Sequence, residues 1–335
     1  MQVLVTGSSG HLGEGIVRTL RARGDGVVAV DVRASEFTTH VVSVCDFALL
    51  RSLMRDVEVV IHAAGLHKRH LATHAPHRFV ETNVAGTLAV LEAALAERVS
   101  AVVFTSTTSV YGGAMKPGAG EHAIWVDEGL PCVPKNIYGA SKKAAEDLCE
   151  LYARSKGLAC VVLRVGRFYP EAEPPDSLDD AANDLNHKVN DYLYRRVDLE
   201  DAVTAHLLAA EHAHRLGFGR YIVSGSSPFH RYDLPLLRNN AAAVVTKLFP
   251  GCSDLYGHRG WSLPSGIDRV YSNARARDEL GWAPRLDFLE LLERLRRGGE
   301  LFSALARDVG SKGYALPDGG RNHRVGPDDN QPKVD

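Results

Sequence analysis

The chain has 335 residues, 45% of them hydrophobic, with a formal net charge of -2 at pH 7 and a sequence pI near 6.7. That is enough apolar material for one large or two modest globular domains, and the near-neutral balance gives no bias toward nucleic acid or an anionic membrane surface. No apolar run approaches the ~20 residues that span a bilayer, and the chain enters Gln2-Val3-Leu4-Val5 without a secretory signal. Cys45, Cys132, Cys149, Cys160 and Cys252 are odd in number and lack metal-like spacing. The expectation is a cytoplasmic protein with buried reduced thiols, no metal site, no nucleic-acid partner and no membrane partner.

Val3-Leu4-Val5 predicts a strand, and Thr6-Gly7-Ser8-Ser9-Gly10-His11-Leu12-Gly13 leads from it into a helix predicted from about Leu12 to Arg23. In that context glycines allow a tight turn and close backbone approach, while the helix N-terminus offers N–H groups to a pyrophosphate. Gly7, Ser9, Gly10, His11, Leu12 and Gly13 are therefore candidate cofactor contacts. Val27 to Val30 predicts a second strand that ends at Asp31, with Val32 and Arg33 following. A carboxylate there accepts ribose hydroxyls and repels a 2′-phosphate, so NAD is favoured over NADP, although Arg33 could tolerate the extra phosphate.

Further apolar runs at Val41 to Val44, Val57 to Ile61, Ala101 to Phe104 and Cys160 to Leu163 alternate with helical stretches. This is the pattern of an α/β protein with a doubly wound parallel sheet, whose ligands lie beyond the strands' C-terminal ends. Asp46 and Phe47 are placed by that rule against an adenine, and Ala63, Ala64 and Gly65 against the cofactor's body. The hydroxyl-rich stretch Thr105-Ser106-Thr107-Thr108-Ser109 lies near the reacting centre. Strand ends also bring His67 and Arg167 near the nicotinamide, while Lys68, Arg69, His70, His74 and His77 read as a solvated cluster. Arg195 and Arg196 are expected to pair with Asp198 or Glu200.

Tyr138-Gly139-Ala140-Ser141-Lys142 opens a predicted helix. Four residues make about one turn, so Tyr138 and Lys142 share a face, and a nearby ammonium favours the phenolate over a phenol that ordinarily ionises near pH ~10. The spacing alone also fits a half-buried tyrosine beside a snorkelling lysine.

These pieces, in order, resemble the extended short-chain dehydrogenases/reductases, specifically the NAD-dependent sugar epimerase/dehydratase family. The resemblance is carried by Thr6 to Gly13, Asp31, Asp46, His62 to Gly65, Asn83-Val84-Ala85-Gly86-Thr87, Val110-Tyr111-Gly112, Tyr138 to Lys142, Leu163-Arg164, Val197 to Ala202 and Leu280-Gly281-Trp282-Ala283-Pro284. It implies a Rossmann-type sheet with a small C-terminal substrate-binding lobe. Residues 1–165 with 191–224 would bind NAD, residues 166–190 and 225–310 would form the substrate lobe and C-terminal helices, and 311–335 would be a flexible tail. It also implies a Thr107, Tyr138 and Lys142 triad in which Lys142 lowers the tyrosine pKa and holds the nicotinamide ribose, cofactor contacts from Asn83, Thr105, Tyr138 and Lys142, and a homodimer formed through helices near 83–97 and at Tyr138. His67, Thr107, Thr108, Arg167 and Arg259 are the candidate substrate contacts, with Arg259 where the family places a diphosphate-binding arginine.

Sugar 4,6-dehydratases of this family carry an Asp-Glu pair after the catalytic hydroxyl. Here those positions are Thr108 and Ser109, which disfavours dehydration. The short segment from Pro170 to Arg195 leaves open a smaller substrate, such as a free sugar, uronate or cyclitol. The leading expectation is an NAD-dependent epimerase of a sugar or nucleotide sugar working through a keto intermediate. The alternatives are an NAD(P)-dependent dehydrogenase of a smaller sugar and a non-catalytic dinucleotide-sensing protein.

Overall fold

A computed structural model describes residues 1–168 and 184–312. In chain order it contains β1 (Gln2–Thr6), α1 (His11–Ala22), β2 (Gly26–Asp31), β3 (His40–Val41), α2 (Phe47–Leu53), β4 (Val59–His62), α3 (Pro76–Phe79), α4 (Gly86–Ala96), β5 (Ala101–Thr107), β6 (Ile124–Val126), α5 (Ile137–Lys156) and β7 (Ala159–Val165). After the undescribed segment come α6 (Asp184–Asp191), α7 (Leu199–Leu216), β8 (Phe218–Val223), α8 (Leu234–Leu248), α9 (Cys252–Gly257), β9 (Arg269–Tyr271), α10 (Ala274–Leu280), α11 (Phe288–Arg296) and α12 (Ala304–Val309).

Seven strands form one sheet in the order β3-β2-β1-β4-β5-β7-β8, every pair parallel. Alternate residues feed opposite faces. Val3, Val5, Ile61 and Val103 pack with α1 and α7, whereas Leu4, Val60, Val102 and Phe104 pack with α2, α4 and α5. Burial on both faces explains why these strands read as continuous apolar runs. The strand predicted at Val41 to Val44 is only the His40–Val41 pair. Val42 and Val44 are buried without continuing the ladder, because the chain turns there into the Asp46 cap of α2.

A third apolar cluster gathers Val189, Leu193, Leu237, Tyr256, Val270 and Leu291 around α8, α9 and α11. The sequence nevertheless returns to the main sheet. Trp282, 1% exposed, donates its indole N–H to the Asp201 carbonyl at 3.0 Å, and the Asp201 carboxylate accepts the N–H groups of Arg285 and Leu286 at 2.8 and 3.0 Å. The Leu280-Gly281-Trp282 stretch is thus a clasp onto α7. The continuous helix 76–96 is long and apolar enough to cross a membrane by composition, but 44% of its apolar window is buried inside the fold. Cys149, Cys160 and Cys252 are buried, as expected of free thiols, whereas Cys45 is exposed and Cys132 half-buried. The expected tail falls almost wholly outside the described residues, as does most of the segment from Pro170 toward Arg195.

Candidate active site

The strand ends of β1, β2, β4, β5 and β7 open onto a cavity of about 360 Å³. Gly7 turns the chain out of β1 with φ +77°, and a Cβ there would lie 2.7 Å from the Ala64 nitrogen. A Cβ on Gly13 would stand 1.9 Å from the Gly7 carbonyl oxygen, so α1 can start against the loop only with hydrogen at that position. Asp31 fixes the loop from the other side: its Oδ2 accepts the Ser9 N–H at 3.0 Å and its Oδ1 the Arg33 N–H at 2.9 Å. Each carboxylate oxygen keeps acceptor capacity for a ribose hydroxyl.

Beneath the loop runs a chain of directional hydrogen bonds. The Ala64 N–H donates to Thr6 Oγ1 at 3.1 Å, and the Thr6 hydroxyl bonds His62 Nδ1 at 2.7 Å. His62 Nε2 meets Thr87 Oγ1 at 3.1 Å, and that hydroxyl donates to the Asn83 carbonyl at 2.6 Å. The pattern requires a neutral ring with the proton on Nε2. Burial, reinforced by the Lys142 charge, pushes the His62 pKa down to about 3 and keeps it neutral. Asn83 sits in a π-helical turn, Val80–Ala85, a distortion that often marks functional positions. Its side chain accepts the Leu66 N–H and donates to the Leu66 carbonyl and Ser141 hydroxyl, tying the β4 end to α5.

The Asn136 side chain caps α5 by accepting the Gly139 N–H at 3.0 Å, which launches Tyr138 and Lys142 into the cavity from one face. Both are nearly inaccessible, at 9% and 5% exposure. Burial pushes the Tyr138 phenol up to about 12, opposed by a hydrogen bond from the Thr107 hydroxyl. Burial lowers Lys142 to about 8, opposed by Cys149 and Glu146. The sequence predicts that Lys142 lowers the tyrosine's pKa; in the structure its ammonium is instead directed to the Thr105 carbonyl at 2.9 Å and lies over the Phe104 ring. Thr107 Oγ1 accepts the Ser109 N–H at 3.1 Å, leaving its proton for the phenol. Thr105 is held by His206, whose Nε2 lies 2.9 Å from its hydroxyl.

Gly7, Ser9, Gly10, His11, Leu12, Gly13, Asp31, Val32, Arg33, Ala63, Ala64, Gly65, His67, Thr105, Thr107, Tyr138 and Lys142 all line this cavity. Asp46, Phe47, Asn83, Thr108, Arg167 and Arg259 do not. Asp46 caps α2 by accepting the Leu49 N–H, and Phe47 is 39% exposed; Val44 and Cys45, just before them, form the wall instead. Thr108 starts a 3₁₀ turn that carries it away from the opening. Arg167 pairs with Asp191 at 3.6 Å, and Arg259 donates to the Leu255 and Leu295 carbonyls in the distal lobe. Arg195 pairs with Asp191 at 2.7 Å rather than with Asp198 or Glu200, because Asp191 lies one turn back.

The sequence reading missed His70, His74, Arg78, Glu81 and Thr82, which also line the cavity, and Val165, Gly166 and Phe168. The last three follow the same strand-end rule at β7. The histidines gave no such signal: a 3₁₀ turn, Lys68–Ala72, brings the His67 and His70 rings to 4.1 Å apart, tilted by 52°, with His74 following it. Among the described residues no group of three or more His, Cys, Asp or Glu is placed to hold a metal.

The family described as NAD dependent epimerase/dehydratase matches residues 3–224. The chain belongs to that family. It is 31% identical to a dTDP-glucose 4,6-dehydratase of Streptomyces antibioticus over 75% of this chain and 72% of that protein. It is 26% identical to a UDP-glucose 4-epimerase of Halalkalibacterium halodurans over 87% of this chain and 93% of that protein. Among solved structures, a UDP-glucose 4-epimerase from Thermus thermophilus in complex with NAD superposes with a TM-score of 0.60 at 23% identity, covering 88% of this chain and 99% of that one. The UDP-N-acetylglucosamine 4-epimerase from Bacillus cereus gives 0.61 at 18%, covering 89% and 98%. The protein is accordingly an enzyme of the extended short-chain dehydrogenase/reductase type, with NAD as its cofactor. The glycine loop, the α1 N-terminus and Asp31 fit a dinucleotide's pyrophosphate and ribose.

Proposed function

We propose that the protein epimerises a sugar, most naturally a nucleotide sugar, through a transient keto intermediate. The observation that carries this reading is the buried Tyr138 phenol at the end of a dinucleotide cavity, hydrogen-bonded to Thr107 and one turn from Lys142. NAD, when bound, supplies reversible hydride acceptance. Tyr138 takes the proton from the carbinol hydroxyl and later returns it to the opposite alcohol; Thr107 orients that oxygen. Lys142, one turn along α5 and held at the Thr105 carbonyl, would supply a positive charge to the same cavity, which favours the base form of Tyr138.

The names of the relatives support a nucleotide sugar as substrate. Dehydration is disfavoured because Thr108 and Ser109, which follow Thr107, provide neither a general acid nor a general base. The lobe around α8, α9 and α11 would hold the substrate. Two copies would pair through α4 and α5, where Leu95 and Leu151 remain exposed, as a cytoplasmic homodimer. Incubation of the NAD-loaded protein with UDP-glucose or UDP-glucuronate, followed by NMR of the sugar, should show the epimer with no net NADH formation. Stoichiometric NADH release with an oxidised sugar would overturn the epimerase in favour of a dehydrogenase.

A further inference from the structure

Helix α5 carries one more buried charge that the proposed reaction does not use. Glu146, 0% exposed, lies one turn beyond Lys142, as Lys142 lies one turn beyond Tyr138. Its Oε1 accepts the Ser106 hydroxyl at 2.6 Å and Arg164 Nε at 3.0 Å, and its Oε2 accepts Arg164 Nη2 at 2.6 Å. Arg164, 2% exposed, also donates Nη1 to the Tyr111 hydroxyl at 2.8 Å. Three successive turns of α5 therefore grip three successive residues of β5: Tyr138 meets Thr107, Lys142 the Thr105 carbonyl, and Glu146 Ser106.

A buried ion pair gains little stability over an apolar pair of the same size, because desolvation offsets the attraction. What it does supply here is register and charge. We propose that the Glu146–Arg164 pair is a positioning element of the active site, clamping β5 and β7 to α5 and placing a fixed negative charge one turn below the Lys142 ammonium. The inference rests on the roles of Tyr138, Thr107 and Lys142 given above. Glu146 is among the groups that hold the Lys142 ammonium against the effect of burial. The other charged and titratable groups facing the pair are Lys142 and Cys149 on α5, Cys160 on β7, Arg220 on β8, and Tyr111 and Cys132 from the loops. His62 and His67 face Lys142 from the β4 side and are neutral near pH 7.

The test is NADH binding to the full-length protein, followed by NADH fluorescence from about pH 6 to about pH 10. In the wild type, affinity should fall above about pH 8, as Lys142 loses its proton. Glu146→Gln should move that midpoint down by about 1 pH unit, and Glu146→Asp, which keeps the charge, should restore it. An unchanged midpoint in folded Glu146→Gln overturns the proposal. If that variant does not fold, the double substitution Glu146→Gln with Arg164→Met leaves no unpaired buried charge and carries the same two outcomes. NADH binding is independent of which sugar turns over, so a missing epimerase activity would count against the functional reading and not against this one.

Discussion

At the glycine-loop end of the cavity the Gly7 turn, the start of α1 and the Ala63-Ala64 segment bring the backbone close, and Asp31 holds the loop in place. At the opposite end they are side chains of α5 and β5, and the charges among them are buried and interlocked. The first region depends on where atoms are missing, since a single Cβ at Gly13 would overlap a carbonyl. The second depends on charges being kept where water cannot screen them. The two ends are built on different physical principles, and substitutions at them should fail in different ways.

The sharpest separation should come from Tyr138→Phe. It should lower turnover by about 10² to 10⁴-fold, the usual contribution of a positioned acid–base group, with NAD affinity measured by calorimetry nearly intact. An affinity loss of similar size would merge the two ends. Arg164→Met should lower stability by up to about 3–5 kcal/mol in urea unfolding, because Glu146, at 0% exposure, would keep only the Ser106 hydroxyl and the longer 3.4 Å contact with Arg220.

His62 links the two ends from below. Its pKa is held near 3 in the fold against about 6.5 when unfolded, so its contribution is complete above about pH 6.5 and is lost as pH falls toward 3. Unfolding at pH 4 should therefore need about 3 kcal/mol less than at pH 7 on account of this residue. His62→Gln should remove that share of the slope and leave the part contributed by His67 and His206, whose pKa values burial also lowers; an unchanged slope would place the acid sensitivity elsewhere.

Gly13→Ala should cost NAD affinity about 1–3 kcal/mol through the overpacked loop, with secondary structure by circular dichroism retained. The smallest effect belongs to Asp31→Ala. It removes acceptors for ribose hydroxyls and should weaken NAD by about 1 kcal/mol while narrowing its advantage over NADP, which paired titrations would read.

The backbone-built end was the more legible in sequence. Strand, glycine turn, helix and spaced carboxylate are local signals, and every candidate from Gly7 to Gly13 lines the cavity. The adenine-side expectation at Asp46 and Phe47 assumes a strand through Val44, whereas the ladder stops at Val41 and the residues that line the cavity are Val44 and Cys45. Arg259 lies away from this cavity for a different reason. Its place is set by carbonyls of α9 and α11 in a separate apolar cluster, to which no local pattern points.

The sequence by itself determined the alternating apolar runs that make a parallel sheet, the glycine turn that only small residues permit, and the one-turn spacing of Tyr138 and Lys142. All three follow from backbone sterics and periodicity, which are local. Only the tertiary structure decided that Lys142 is held at the Thr105 carbonyl, that His70 and Arg78 line the cavity, and that Glu146 and Arg164 tie α5 to β5 and β7. Those outcomes depend on desolvation and on partners far apart in the chain, and neither is written in the spacing of neighbouring residues.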